Sequence, residues 1–456
     1  MQYIEKCAFC VRALKRGAIS SGDRRCTGGL DRCGLERQAR QPPVKESSDI
    51  DGLRAWLGLG RFEGEGVEQD RAGLTGFDGH DVDLRVSGRR FHGDSQRSHG
   101  PNASLRDVDL SAFPAGTTIN DRYELSRRLG NGAGGSVYEA HDRHLDTRIA
   151  VKLLNPLNGG PSGPWQEAQL LEKLKSRYLL PVLNADVVIA SDLRFIVTPV
   201  LSGGDLERLA GPYGLPSSTA AHYIQQAASG LDRIHRAGMV HRDVKPGNVF
   251  VEGDAVVLGD LGFCHLLDDG VAPPNGSFCT VAPEVLPDDG ECSPATDVYS
   301  LAATAFYLLS GEYPVDHRLP LPEQKAGIIA GSIRELRTIA PHTSRSVGTV
   351  VRKSLNADPT KRHTNATDFG TALAGAVQGC RDWHRVTTHR GHAHCMTGAC
   401  LGQKKEILVC CTQIDSRTIE VRARIAETGR RIPGRSDARV TPGQLATTLQ
   451  RLTASL

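Results

Sequence analysis

Along Asp121–Gly130 (DRYELSRRLG), Gly134–Asp142 (GGSVYEAHD) and Thr147–Leu154 (TRIAVKLL), apolar and polar positions alternate, with glycines between the first two runs. A period of two is that of a half-buried strand, so three strands around a glycine-rich turn are predicted. The period then changes. Ala220, Ala221, Ile224, Ala227, Ala228, Leu231 and Ile234 recur at helical spacing, and Gly238 is placed to end that helix. Val298, Leu301, Ala305 and Leu308 mark another helix. Strands first and helices after predict a two-lobed α+β fold, β-rich in its N-terminal lobe and helical in its C-terminal lobe.

The flanking zones read differently. Residues 1–115 are rich in Gly, Arg and Asp, and their short apolar clusters keep no period, so this extension is expected to be mostly disordered or poorly folded. A later start of translation is the plainer account of the same stretch. Residues 116–379 hold the two-lobed unit. Residues 380–456 are expected to form a small α+β appendage that recruits a partner or substrate. There Ile419, Val421, Ala423 and Ile425 alternate with charged residues, and Lys405–Ile414 (KEILVCCTQI) offers a partner strand. Thr441-Pro442-Gly443-Gln444 reads as a capping box, opening a helix with Leu445, Leu449, Leu452 and Leu456 on one face.

Composition narrows the class. The 456 residues are 39% hydrophobic and 23% charged, ordinary for a globular protein, and a net charge of +3 argues for neither nucleic acid nor membrane as a partner. No run approaches the roughly 18 consecutive apolar residues of a membrane span. The N-terminal MQYIEKCAFCVRALKRG is charged where a secretory signal needs an apolar core, so a cytoplasmic location is expected. Twelve cysteines in this length are too few for a disulfide scaffold. Nothing here sets an oligomeric state.

Several residues carry candidate chemistry. Gly130, Asn131, Gly132, Ala133, Gly134 and Gly135 form a GxGxxG turn, with Val137 two positions on, whose backbone N–H groups can close over phosphate oxygens. Fifty glycines make chance matches easy, but a β-like run follows the last glycine, which favours a hairpin covering ATP over a dinucleotide site, where a helix should follow. Lys152 ends a buried Ile-Ala-Val run and so needs a partner; a lysine snorkelling from a strand end is the bland alternative. Glu167, in WQEAQLLEKL, is the candidate counter-ion, with Glu172 on another face as second choice. HRDVKPGNVF (His241–Phe250), the Asp-Leu-Gly triplet at Asp260 and Ala-Pro-Glu at 282–284 follow in order.

With Asp297 and Arg362, these motifs make residues from about 117 to 379 resemble the bacterial, eukaryotic-like (Hanks-type) Ser/Thr protein kinases. The resemblance implies ATP- and magnesium-dependent phosphoryl transfer to Ser/Thr hydroxyls of protein substrates. It implies Asp243 as base, Lys245 beside the transferring phosphoryl group, Lys152 paired with Glu167, and Asn248 and Asp260 on Mg2+. It places Val137, Ala150 and the hinge residue Val200 around adenine, and pairs Glu284 with Arg362. A pseudokinase scaffold and a kinase-like small-molecule phosphotransferase are the rival readings. Leu261 replaces the usual Phe of the metal triplet, and Pro199 stands where an acidic hinge residue is frequent. Between Leu261 and Gly276 there is no Ser, Thr or Tyr to carry an activating phosphate. In the family, the Arg preceding the base commonly pairs with that phosphate; here Asp268 and Asp269 are expected to supply Arg242 with charge instead.

Two cysteine-bearing stretches remain. Cys7, Cys10, Cys26 and Cys33 have a poor spacing for a zinc ribbon. Cys380, His384, His389, His392, His394, Cys395 and Cys400 crowd into 21 positions and offer zinc-type ligands, although a His-rich loop beside core cysteines is the favoured account.

Overall fold

Tyr123–Gly132 (β2), Gly135–Asp142 (β3) and Thr147–Leu154 (β4) form where the alternation predicts them. The structure, a computed structural model, describes residues 113–456 except 133, 155–164, 190, 192, 288, 379–380 and 400–404. The expectation for residues 1–115 falls almost wholly outside these, as do Cys7, Cys10, Cys26 and Cys33. A short strand Thr118–Ile119 (β1) and the later Asn184–Val187 (β5) and Arg194–Pro199 (β6) complete an antiparallel sheet of order β1-β2-β3-β4-β6-β5. One face buries Tyr138, Ala140, Ile149, Val151, Leu153, Phe195 and Val197. Each such side chain stabilises the sheet by about 1.5–3 kcal/mol. Because strand side chains alternate, Val137, Ala150 and Lys152 are left on the opposite face. Helix Gln166–Lys173 (α1) packs its Ala168, Leu170 and Leu171 inward.

The second lobe is helical. After Leu206–Ala210 (α2), the long helix Ser217–His235 (α3) buries the predicted stripe Ala220, Ala221, Ile224, Ala227, Ala228, Leu231 and Ile234. It stops three residues before Gly238, whose φ of +72° turns the chain into the short strand Met239–Val240 (β7). The hairpin Val249–Glu252 (β8) and Ala255–Leu258 (β9) follows, then His265–Leu266 (β10), paired with β7. Helix Pro294–Ser310 (α4) is buried from Thr296 to Ser310, as befits a central helix that is apolar on every side. Leu321–Ile329 (α5), Leu336–Ile339 (α6), Arg345–Ser354 (α7) and Ala366–Ala376 (α8) complete the lobe.

Beyond them, Asp382–Val386 (β11), His392–Ala399 (β12), Ile407–Gln413 (β13), Ile419–Ile425 (β14) and Ala438–Val440 (β15) form an antiparallel meander in chain order. Pro442–Ala454 (α9) covers it, opened by the predicted Thr441–Gln444 capping box and burying Leu449. The β13–β14 pair and the helix match the sequence pattern; β11, β12 and β15 are additional. This sheet meets the helical lobe through Asp382. Helix α3 begins after Pro216, which has no side-chain cap, and the Asp382 carboxylate takes its place, accepting from the Ser218 N–H at 3.1 Å and from the Ser218 hydroxyl. An acceptor there satisfies an orphan donor and faces the positive end of the helix dipole. Among the described residues, no helix is long and apolar enough to cross a membrane.

Candidate active site

The β2–β3 hairpin, the β8–β9 hairpin and α1 converge on one cleft. Gly132 pairs with Gly135 across a two-residue turn. Gly135 has φ +132°, and a Cβ there would lie 1.9 Å from the Leu153 carbonyl oxygen, so only glycine fits. A Cβ on Gly134 would come 3.1 Å from Lys152 Nζ, so the turn lies close over that ammonium. Ser136 donates its hydroxyl to Asn131 Oδ1 at 2.9 Å, bracing the hairpin. Ala133 lies outside the described residues. Ala150 is buried on the Lys152 face, opposite Thr198 in register, while Val137 and Val200 remain half-buried and able to contact a ligand.

Lys152 Nζ donates to Glu167 Oε1 and Oε2 at 2.9 and 2.8 Å and to Asp260 Oδ1 at 2.7 Å. Burial opposes the charge on Lys152, but the Asp260 and Glu167 carboxylates more than offset it and hold the ammonium above the usual lysine range. Burial likewise opposes the charge on Asp260, yet Lys152, Lys245 and His241 keep its carboxyl below the usual range. Glu172, the second choice, is half-exposed and pairs with Lys175. Gln166 Nε2 donates to the Cys264 carbonyl at 2.9 Å, tying α1 to the segment after Asp260. Leu261, in place of Phe, is fully buried within the helical lobe's apolar core.

The β8–β9 hairpin explains how two distant candidate metal ligands meet. Val249 faces Leu258 in register, and the Gly259 N–H donates to the Asn248 carbonyl at 2.9 Å. Asn248 and Asp260 therefore flank the same end. Asn248 directs Nδ2 at the carbonyl and Oδ2 of Asp243, at 2.8 and 3.1 Å, leaving its Oδ1 as the atom for a metal. With Asp260 this is a hard oxygen donor set, which suits magnesium.

Asp243 is buried, and three side chains reach its carboxylate. Lys245 Nζ lies 2.8 Å from Oδ2, Asn248 Nδ2 bonds the same oxygen, and the Ser277 hydroxyl donates to Oδ1 at 2.8 Å while accepting from Lys245 at 3.0 Å. The Ser277 bridge between Asp243 and Lys245 was not legible from spacing. A second unread device is Asp297 at the start of α4. It accepts the backbone N–H groups of His241 and Arg242 at 2.8 and 2.9 Å and faces His235 Nε2 at 2.8 Å. Burial opposes its charge, but His235 and His241 keep its carboxyl below the usual range. These bonds hold Arg242 at φ +72°; Asp260, at φ +59°, is the other left-handed residue of the site. Such conformations cost about 1–3 kcal/mol each and cluster at functional sites.

Two backbone carbonyls hold Arg242. Its Nε donates to the Phe263 carbonyl at 2.5 Å and its Nη1 to the Pro273 carbonyl at 3.0 Å. Asp268 and Asp269 instead sit exposed in a short 3-10 turn, Leu267–Asp269. Carbonyls of a turning chain can satisfy a guanidinium as well as an anion can. Further out, Glu284 and Arg362 form the expected bidentate pair, at 2.5 and 2.7 Å, with the Arg362 side chain fully buried over the Tyr299 ring.

The family profile described as "Protein kinase domain" matches residues 123–372, more than half of the chain. The chain belongs to the protein kinase family. This kinase chain is similar to the serine/threonine-protein kinase pkn2 of Myxococcus xanthus, 29% identical over 279 residues, covering 58% of this chain and 33% of that one. It is also similar to the serine/threonine-protein kinase drp72 of Corynebacterium efficiens, 27% identical over 285 residues, covering 58% and 52%. The solved kinase domain of Mycobacterium tuberculosis PknI matches with a TM-score of 0.45 and 22% identity, covering 58% of this chain and all of that one. The kinase thus spans between a third and about half the length of these two curated relatives.

Proposed function

We propose that the chain transfers the γ-phosphoryl group of ATP to Ser or Thr hydroxyls of cytoplasmic proteins. The observation that carries this reading is the closed set of Lys152, Glu167 and Asp260, with Asp243 oriented by Asn248 and Lys245 in the same cleft. A scaffold that no longer catalyses has no need to keep two part-buried carboxylates on one ammonium, because desolvated ion pairs are costly to maintain. The Glu284–Arg362 anchor and the segment before it favour protein over small-molecule acceptors, since they shape the surface beside Asp243 on which a peptide would lie.

In the transfer, Lys152 positions the phosphates under the glycine turn. Asp243 accepts the acceptor hydroxyl's proton as its oxygen bonds to the γ-phosphorus, while the bond to the β–γ bridging oxygen breaks and ADP leaves. Lys245 offsets charge on the moving phosphoryl group. Asn248 and Asp260 would hold magnesium, which would supply the remaining charge neutralisation. Incubating the purified full chain with γ-labelled ATP, magnesium and a host lysate should label Ser and Thr residues of proteins. ATP binding without transfer would favour the scaffold reading, and label confined to small molecules would favour the phosphotransferase reading.

A further inference from the structure

The crowded stretch after residue 380 resolves into a cluster that the kinase chemistry does not use. Of its members, His389, His392 and Cys395 come together with Cys410 from the next strand, and their ligand atoms all lie within 4.8 Å of one another. His384 and His394 are not part of the group; Cys380 and Cys400 lie outside the described residues. We propose that His389, His392, Cys395 and Cys410 bind one zinc ion.

The fold explains the convergence. Cys395 on β12 and Cys410 on β13 are register partners, so their side chains leave the sheet on the same face. The next residue, Cys411, points to the other face, where it packs with Met396, Val409 and Leu449 under α9. The β11–β12 connection ends in a tight turn closed by the His392 N–H donating to the His389 carbonyl at 3.0 Å, with Gly391 at φ +81°. That turn and an irregular register between His392 and His394 set two imidazoles over the cysteine pair.

Four of the six separations among the ligand atoms are close to tetrahedral edges, and all six lie within 4.8 Å. Zinc bonds of about 2.3 Å to sulfur and 2.0–2.1 Å to nitrogen give edges of about 3.8 Å for S···S and about 3.5 Å for S···N. Here Cys395 Sγ lies 3.7 Å from Cys410 Sγ. It lies 3.3 Å from both His392 Nδ1 and His389 Nδ1, and Cys410 Sγ lies 3.4 Å from His389 Nδ1. The sulfurs are therefore too far apart for a disulfide, whose bond is about 2.0 Å. Two thiolates would neutralise the ion, and Arg422, the register partner of Cys410 on β14, adds positive charge beside them. Four protein ligands leave no open position, so the site is structural. It pins the β11–β12 turn onto the sheet whose first residue, Asp382, contacts α3.

Elemental analysis of the full chain, purified under reducing conditions without chelator, should find one zinc per chain. His389→Ala and Cys410→Ser should each lose it, whereas Cys411→Ala should keep it. Cobalt substitution should give the visible bands of a tetrahedral site and a thiolate charge-transfer band that Cys410→Ser abolishes. His389 is exposed in a turn, so its variant should fold even where a cysteine variant does not. A folded chain that takes up no zinc from excess, a His389→Ala chain that binds as the parent does, or isolation of Cys395 and Cys410 as a disulfide would each overturn the proposal.

Discussion

The Ser277 hydroxyl donates to Asp243 Oδ1 at 2.8 Å and accepts from Lys245 Nζ at 3.0 Å, locking the segment before Ala-Pro-Glu onto the loop that carries the candidate base. Removing it leaves Asp243 and Lys245 to reorient together. Ser277→Ala is expected to lower peptide-kinase kcat by roughly tenfold to a hundredfold, about 1.4–2.7 kcal/mol. Ser277→Thr keeps the hydroxyl and should keep most of the rate. Steady-state kinetics on a generic peptide check both.

Asp243 and the Lys152 pair should respond differently. Asp243→Asn removes the proton acceptor while sparing the fold, and should cost on the order of 10²–10⁴ in kcat. Lys152→Met and Glu167→Gln break the ion pair and should lower kcat/KM for ATP by a comparable factor. Nucleotide binding measured by calorimetry separates the two classes, because only the Lys152 and Glu167 variants should weaken it.

Arg242 supplies a test of regulation. With its guanidinium held by the Phe263 and Pro273 carbonyls, phosphatase treatment should leave turnover intact. Asp269→Asn is an exposed-surface substitution and should alter kcat by no more than about twofold. A large loss in that variant would give the Asp269 carboxylate a role in ordering the segment.

Arg362 is fully buried against Glu284, and it also donates to the Ala295, Asn356 and Ala357 carbonyls. Arg362→Ala leaves a part-buried carboxylate and three backbone carbonyls without their donor, which costs about 1–3 kcal/mol. Urea unfolding should show the midpoint fall, and Arg362→Lys should recover only part of it because one ammonium cannot replace the fork.

His342 is buried, with His394, Arg385 and His384 nearby, and burial first, then those neighbours, push it down from 6.5 to about 3. The unfolded chain therefore binds a proton that the folded chain refuses between these values. Stability should be full above about pH 6.5 and decline as the pH falls toward 3. Comparing urea midpoints of the parent and a His342→Phe chain isolates this contribution, and the variant should show the shallower decline below pH 6.5.

Much of the site was readable because its residues sit in short ordered motifs. Lys152 follows a buried Ile-Ala-Val run and so had to find Glu167; the loop 241–248 and Asp260 carry their own local spacing. Asp297 was named without its contacts and the Ser277 bridge was not read, since each acts on residues that only the folded lobe brings near. The carbonyls of Phe263 and Pro273 that hold Arg242 were not readable, because sequence shows charge but not which carbonyls a turning chain exposes. In the appended sheet, β13, β14 and α9 announced themselves through alternation and a capping box. Strand β12 did not: HAHCMTGA holds ligands rather than an alternating face, and Cys410 joins them only through strand register.

Asp382 at the head of α3 makes the boundary between lobe and appended sheet a shared one. A helix that finishes its first turn with a carboxylate from more than 160 residues downstream has given up part of its self-sufficiency. Recombination that exchanged the tail for another would strand that helix end in the same event. The two pieces are therefore expected to be inherited together, with Ser218 and Asp382 changing in step among descendants, whereas the surface of the sheet away from the lobe is free to diverge toward new partners.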